Sequence, residues 1–222
     1  MASADYILVI GDKNFSSWSL RPWLALKQCG ISFEEVCVRL RQPESKAAIL
    51  KHSPAGKVPV LKAGALVVWD SLAIMEFLAE QHPDCGLWPA DANARAEARA
   101  VSAEMHAGFA AVRNDMSMDL LARLPTPPYS VALRSEITRM VKIWTGARAR
   151  HGSGGPFLFG AFSNADAMFA PVATRFRTYG VALAAFGDDG SAQAYADTLL
   201  ALPAMAEWTD SAAAEMKIRA AS

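Results

Sequence analysis

The sequence has little cysteine, no net charge and no long apolar run, and each shortage excludes a class of protein. Only 3 of the 222 residues are cysteine, at Cys29, Cys37 and Cys85. No two form a CxxC, so neither a zinc knuckle nor a dithiol redox site is suggested, and the odd count argues against a disulfide framework. All three are expected to be small buried hydrophobes. Lys+Arg and Asp+Glu each number 22, a formal net charge of +0. That lacks the basic excess a general nucleic-acid binder needs. Charges interrupt every apolar run, so nothing approaches the roughly 20 residues of a membrane span. The first residues lack the basic region and apolar segment of a secretory signal, and a cytoplasmic protein is expected. What is present is core material: 52% of residues are hydrophobic and 20% charged, which rules out a disordered chain.

The chain changes character partway along. Tyr6 to Ile10 reads as a strand, followed by a polar loop from Gly11 to Ser17. A helix signal runs through Leu20, Trp23, Leu24 and Leu26, with Pro22 expected in its first turn and Gly30 as a stop. Ile31 to Val38 is strand-like, and the polar segment from Arg39 to Lys51 has room for a short helix. Val58 to Leu61 and Leu66 to Trp69 read as a hairpin about Ala63-Gly64, and Ser71 to Gln81 as an amphipathic helix. The order βαβ, then α, then ββα implies a small mixed sheet with helices on its faces. After His82-Pro83-Asp84 the chain becomes Ala-rich and helical: Ala94 to Asn114, Tyr129 to Ala149, Ala165 to Tyr179, Gly190 to Leu200, and a last helix from Pro203. The expected division is therefore a small α/β domain at 1–83, a linker at 84–93, and an all-helical domain at 94–222.

Three segments of the first domain carry the chemistry. Ser16-Ser17-Trp18-Ser19-Leu20-Arg21 stands between the first strand and first helix. There a hydroxyl and free helix N–H groups suit an anion, and the serines equally suit a helix cap. Gly56-Lys57-Val58-Pro59-Val60-Leu61 has a proline opening a strand, either an ordinary edge proline or one with a cis bond. The cis form would offer the Val58 backbone to an extended peptide. Trp69-Asp70-Ser71 joins a strand directly to a helix. It reads either as a plain cap or as a site where Asp70 takes an amine and Ser71 a carboxylate.

In their order and spacing, these three segments resemble the glutathione transferase superfamily along nearly the whole chain, with its thioredoxin-like N-terminal domain and helical C-terminal domain. Ser16-Ser17-Trp18-Ser19-Leu20-Arg21-Pro22-Trp23 is similar to the serine-type segment of the zeta class. Pro54-Ala55-Gly56-Lys57-Val58-Pro59-Val60-Leu61 is similar to the cis-proline segment. Asp70-Ser71-Leu72-Ala73-Ile74-Met75-Glu76-Phe77-Leu78 is similar to the γ-glutamyl site. Ser163-Asn164-Ala165-Asp166 resembles the superfamily's internal capping box.

The resemblance implies roles residue by residue. Ser16 is expected to be the catalytic hydroxyl, with Ser17 next to it and Ser19 a weaker alternative. Val58, with Pro59 cis, would hold the cysteinyl part of glutathione, Asp70 and Ser71 its γ-glutamyl end, and Lys57 the glycyl end or peptide backbone. Trp18, Met105, His106, Phe109 and Arg113 are candidates for the second-substrate pocket, Met105 and Phe109 sharing a helix face four residues apart. Trp18 stands where the zeta class often has cysteine. Glutathione is implied as co-substrate, with no metal, no nucleic acid and no membrane, in a homodimer acting on small molecules in detoxification. Three activities follow from the resemblance: conjugation of electrophiles, cis–trans isomerisation of the maleylacetoacetate type, or non-catalytic binding of glutathione or a partner.

Overall fold

The structure, a computed structural model, describes residues 6–221. The outermost ends of the expected domains, residues 1–5 and 222, and with them the start of the chain on which the absence of a signal was read, lie outside the described residues. The first half alternates β1 (Tyr6–Gly11), α1 (Ser17–Gln28), β2 (Phe33–Val38), α2 (Ser45–Leu50), β3 (Val60–Ala63), β4 (Leu66–Trp69) and α3 (Ser71–Gln81). The four strands form one sheet in the order β2-β1-β3-β4. β1 pairs parallel with β2 and antiparallel with β3, and β3 pairs antiparallel with β4.

Alternation along β1 sorts its side chains to two faces. Tyr6, Leu8 and Ile10 join the main core with Leu20, Trp23 and Leu24 of α1 and Ile74, Met75 and Leu78 of α3. Val9 turns to the opposite face, where Val38, Val60 and Ile49 of α2 form a smaller core. The sheet is thus covered on both sides, as its short β-branched strands require.

The second half is helical: α4 (Ala92–Ala107), α5 (Ala110–Asp115), α6 (Val131–His151), α7 (Asn164–Thr178), α8 (Ser191–Leu200) and α9 (Pro203–Ala220). α7 is buried along nearly its whole length. Its start is fastened to the first half: Asn164 Nδ2 donates to Met75 O at 3.1 Å, and its N–H donates to Leu87 O at 2.8 Å. The expected capping box is present, with Ser163 and Asp166 bonding each other's backbone. The segment read as a linker is tethered, since Leu87 and Trp88 are buried in the core.

Three expectations need correction. α1 begins at Ser17 rather than near Leu20, so Pro22 lies inside the helix and not in its first turn. The serine caps start the helix earlier than its apolar stripe indicates. The helix expected over Ala94 to Asn114 is two helices. Gly108 is extended, with φ −99° and ψ −165°, and Phe109 has φ 62°. A Cβ at Gly108 would stand 2.9 Å from the Glu104 carbonyl oxygen, so the chain turns where only glycine fits. The cysteines are not buried hydrophobes: Cys29 and Cys85 are half-buried and Cys37 is exposed. Cys29, at the end of α1, and Cys85 pack only against the margin of the core, and Cys37 lies on the edge strand β2.

Candidate functional site

The sheet topology brings the three segments to one end. Because β1 runs antiparallel to β3, the exit of β1 toward Ser16 lies beside the entry to β3 at Pro59. Val60 pairs with Trp69, so the exit of β4 at Asp70 lies there too. The ladder begins at Val60, leaving Val58 outside it, and the Val58-Pro59 bond is cis.

A cavity of about 510 Å³ opens at this end, lined by Trp18, Ala55, Lys57, Val58, Pro59, Trp69, Asp70, Ser71 and His106. Seven of these were singled out as site residues from the sequence; Ala55 and Trp69 belong to the same segments but were given no role. A larger cavity of about 750 Å³ lies beside Trp88, Arg95 and Arg99 and contains none of the candidates.

Asp70 is the N-cap of α3. Its Oδ1 accepts from Leu72 N at 2.9 Å and Ala73 N at 3.4 Å. Its φ of 75° with ψ 132° lies outside the left-handed helical region, a strained backbone for a residue with a Cβ. The other oxygen, Oδ2, is 3.2 Å from His106 Nε2, which reaches across from α4. Ser71 is 1% exposed, and its hydroxyl has no hydrogen-bond partner. An unpaired buried hydroxyl costs about 1–3 kcal/mol. Here it sits on the first turn of a helix, facing a cavity, where an anionic group would pair it.

The serines of the first segment lie behind this cavity rather than on its wall. Ser16 caps α1, and its Oγ is 2.7 Å from Ser19 Oγ. Ser19 is fully buried, and its Oγ also accepts from Gly11 N at 3.0 Å. Hydroxyl protons rotate freely between such partners. When Ser19 donates to Ser16, the Ser16 proton is released for a ligand. Ser17 faces the other way and accepts from Arg175 Nη2 at 3.1 Å.

Two arginines stack on Trp18, and a third, Arg175, lies near both of them. Arg21 lies 4.1 Å and Arg113 5.3 Å from the Trp18 ring centre, and the His106 ring is 5.2 Å away edge-on. Arg21 is 1% exposed; its Nε donates to Met168 O, and its Nη1 has no partner. Burial, then Arg175 and Arg113, push the Arg21 pKa down. Burial and Arg113 push Arg175 down to about 10, and burial lowers Arg113. Motif reading passed over Arg21 and Arg175 as site residues, because only the contact of α1 with α7 brings them together.

Of the residues expected in a second-substrate pocket, Trp18 and His106 line the cavity and Arg113 stacks on Trp18. Met105 and Phe109 do not reach it. Both belong to the core, and the break at Gly108 puts them on different helices.

Residues 15–81 match the family model described as "Glutathione S-transferase, N-terminal domain". A probable maleylacetoacetate isomerase of Caenorhabditis elegans is 39% identical over 47% of this chain and 48% of that protein. A maleylpyruvate isomerase of Ralstonia sp is 35% identical over 49% of this chain and 51% of that protein. The chain spans about half the length of these curated relatives. The holo structure of a maleyl pyruvate isomerase, a bacterial glutathione S-transferase of the zeta class, aligns with a TM-score of 0.71 at 26% identity, covering 91% of this chain and 95% of that one. Residues 15–81 therefore form a glutathione S-transferase N-terminal domain, in a chain that has the fold of the glutathione transferases.

Proposed function

We propose that this protein is a glutathione transferase that presents glutathione as a thiolate to small electrophiles. One observation carries the reading: a single cavity is bordered by the free Ser71 hydroxyl, the Asp70 carboxylate and the unpaired Val58 backbone. That set complements a γ-glutamyl-cysteinyl peptide: carboxylate to Ser71, ammonium to Asp70, and main chain to Val58 as an added strand. Lys57 borders the same cavity and suits the glycyl carboxylate. Residues 1–83 would hold glutathione and residues 94–222 would shape the second pocket. Ser16 would hydrogen-bond the sulfur, with Ser19 behind it and the arginines adding positive potential.

Titration calorimetry with glutathione and an assay with an activated aryl halide test this together. Binding with glutathione-dependent conjugation is the expected result, and no glutathione binding would sink the reading. Ser71→Ala is the sharper probe. It removes a hydroxyl that has no partner in the free protein, so the melting temperature should hold or rise slightly. Glutathione affinity should fall about 10- to 100-fold, the worth of a hydrogen bond to a charged group. Asp70→Asn keeps the capping geometry but loses the charge, and should weaken glutathione in the same direction.

The arginine cluster favours a second reading, isomerisation of a dianionic substrate of the maleylacetoacetate type, since such a substrate needs several cations. Isomerisation of maleylacetone with catalytic glutathione would distinguish it from conjugation. Binding of glutathione without thiolate absorbance near neutral pH would instead mark a non-catalytic binder.

The same reading includes a cytoplasmic homodimer. Leu66 and Trp69, 49% and 47% exposed, lie on the edge strand β4, an apolar edge that a second copy would cover. Sedimentation should give twice the 23.8 kDa chain mass at micromolar concentration; a single-chain mass would rule the dimer out.

A further inference from the structure

The cysteine spacing suggests no redox pair, yet the fold brings two of the three together. Cys29 is the C-cap of α1, and Cys85 closes the 3-10 turn Pro83–Cys85 that follows α3. Cys85 Sγ lies 4.0 Å from the Cys29 carbonyl oxygen, near enough for the Cys85 thiol to push the Cys29 pKa up. Both residues are half-buried, within reach of a small reagent.

Cys29 is followed by Gly30 at φ +65° and Cys85 by Gly86 at φ +62°, and a Cβ at either glycine would meet nothing within 4 Å. A disulfide of roughly 2.05 Å forms when the two sulfurs draw together at the edge of the core.

We propose that Cys29 and Cys85 form a dithiol site that is oxidised by a low-molecular-weight disulfide such as glutathione disulfide. The Cys85 thiolate attacks one sulfur of the small disulfide. Its S–S bond breaks, and the leaving thiolate takes a proton from water. Cys29 then loses its proton to solvent, and its sulfur attacks Cys85 Sγ, expelling the second small thiol. Two protein thiols are oxidised and one small disulfide becomes two thiols, with no other reactant.

The order follows from the surroundings. Burial and the adjacent Cys85 thiol hold Cys29 protonated, so the first attack falls to Cys85. Cys37 is a poor competitor. Burial and the Glu215 carboxylate, 3.8 Å from its sulfur, push it up to about 11.

The crosslink lies away from the cavity. Ser16 caps the start of α1 and Asp70 the start of α3, whereas the cysteines stand at or beyond the far ends of the same two helices. Oxidation should therefore staple the two site helices together while leaving glutathione binding unchanged. The proposal does not depend on the transferase reading, since its primary readouts are mass and melting temperature.

The test is to incubate the full chain with glutathione disulfide, then remove the reagent. The intact mass should fall by two hydrogens, and one thiol rather than three should titrate. A digest should link the Cys29 peptide to the Cys85 peptide, and the melting temperature should rise by about 5–10 °C. Cys37→Ser should behave identically, whereas Cys85→Ser should lose both the crosslink and the rise. Three free thiols, a stable mixed disulfide at Cys85 in the wild type, or crosslinking only between chains through Cys37 would overturn it.

Discussion

Asp166→Ala should lower the melting temperature by about 10 °C or more, the largest stability loss expected from a single substitution in this protein. Asp166 is fully buried. Its Oδ1 accepts from Leu158 N and Tyr195 OH, each at 3.1 Å. Its Oδ2 accepts from Ser163 N at 2.8 Å and Ser163 OH at 2.9 Å. One carboxylate thus fixes the start of α7, the preceding loop at Leu158, and α8 through Tyr195. Alanine would leave four buried donors unpaired, each costing about 1–3 kcal/mol if nothing relaxes. Allowing for relaxation and shared losses, about 3–5 kcal/mol is lost, at about 2–4 °C per kcal/mol for a chain of this size. Thermal melts followed by circular dichroism would measure it; a shift below about 3 °C would mean that the capping box does not hold α7 in place.

The same carboxyl makes stability depend on pH. Burial pushes it up to about 6 from the usual 3.8, prevailing over the four hydrogen bonds that lower it. The folded state therefore holds the proton more tightly than the unfolded chain. The unfolded chain binds fewer protons between those two values, so this group's contribution falls as pH rises through that window and levels off above it. Asp166→Asn cannot titrate there. Its melting temperature should start lower, because its amide faces donors, and the wild-type curve should drop toward it between pH 4 and pH 6.5. Parallel curves would refute the assignment.

Ser16→Ala should lower turnover at least tenfold while changing the KM for glutathione by less than about twofold, the largest catalytic effect expected. A free thiol has a pKa of about 8.5, so only a few per cent is ionised at neutral pH. Lowering it by about 2 units requires roughly 2.7 kcal/mol of preference for the thiolate. A hydrogen bond to a charged group supplies about 1.5–3 kcal/mol, and the α1 N-terminus adds to it. Ser16 need only donate. Ser19, anchored by Gly11 N–H, can take over the bond that Ser16 gives up. Ser19→Ala should therefore reduce turnover less than Ser16→Ala. Ser17→Ala should leave turnover intact and lower the melting temperature, because its hydroxyl serves Arg175. Loss of turnover in Ser17→Ala instead would move the thiol contact by one residue. The Ser16→Ala cap loss, about 1 kcal/mol, is too small to unfold the protein.

Much of the fold is legible locally. β4 and α3 fall where the short apolar run after Ala63-Gly64 and the Asp70-Ser71 cap put them, because a strand feeding directly into a capped helix carries both signals within about fifteen residues. β3 starts two residues late because pairing begins only after Pro59. The break between α4 and α5 was hidden by Ala-rich helix propensity. One glycine in a favourable run costs only about 1 kcal/mol, and the crowding that makes it decisive is at the Glu104 carbonyl.

The site divides in the same way. Lys57, Val58, Pro59, Asp70 and Ser71 are contiguous motif residues, so their spacing announces them. The pairing of His106 with Asp70, the arginines around Trp18, and the contact of Cys29 with Cys85 all join residues far apart in the chain.

By itself, the sequence determined a small α/β half followed by helices, the serine, proline and Asp70-Ser71 segments, and a neutral chain with almost no cysteine chemistry to offer. Those are properties of composition, periodicity and spacing, which act within a few residues. Only the tertiary structure decided that Ser16 pairs with Ser19 while Ser17 serves Arg175, that Ser71 is left without a partner, and that two of three scattered cysteines meet. Each of these depends on the packing of α1 against α3 and α7, and packing sets distances that no local propensity encodes.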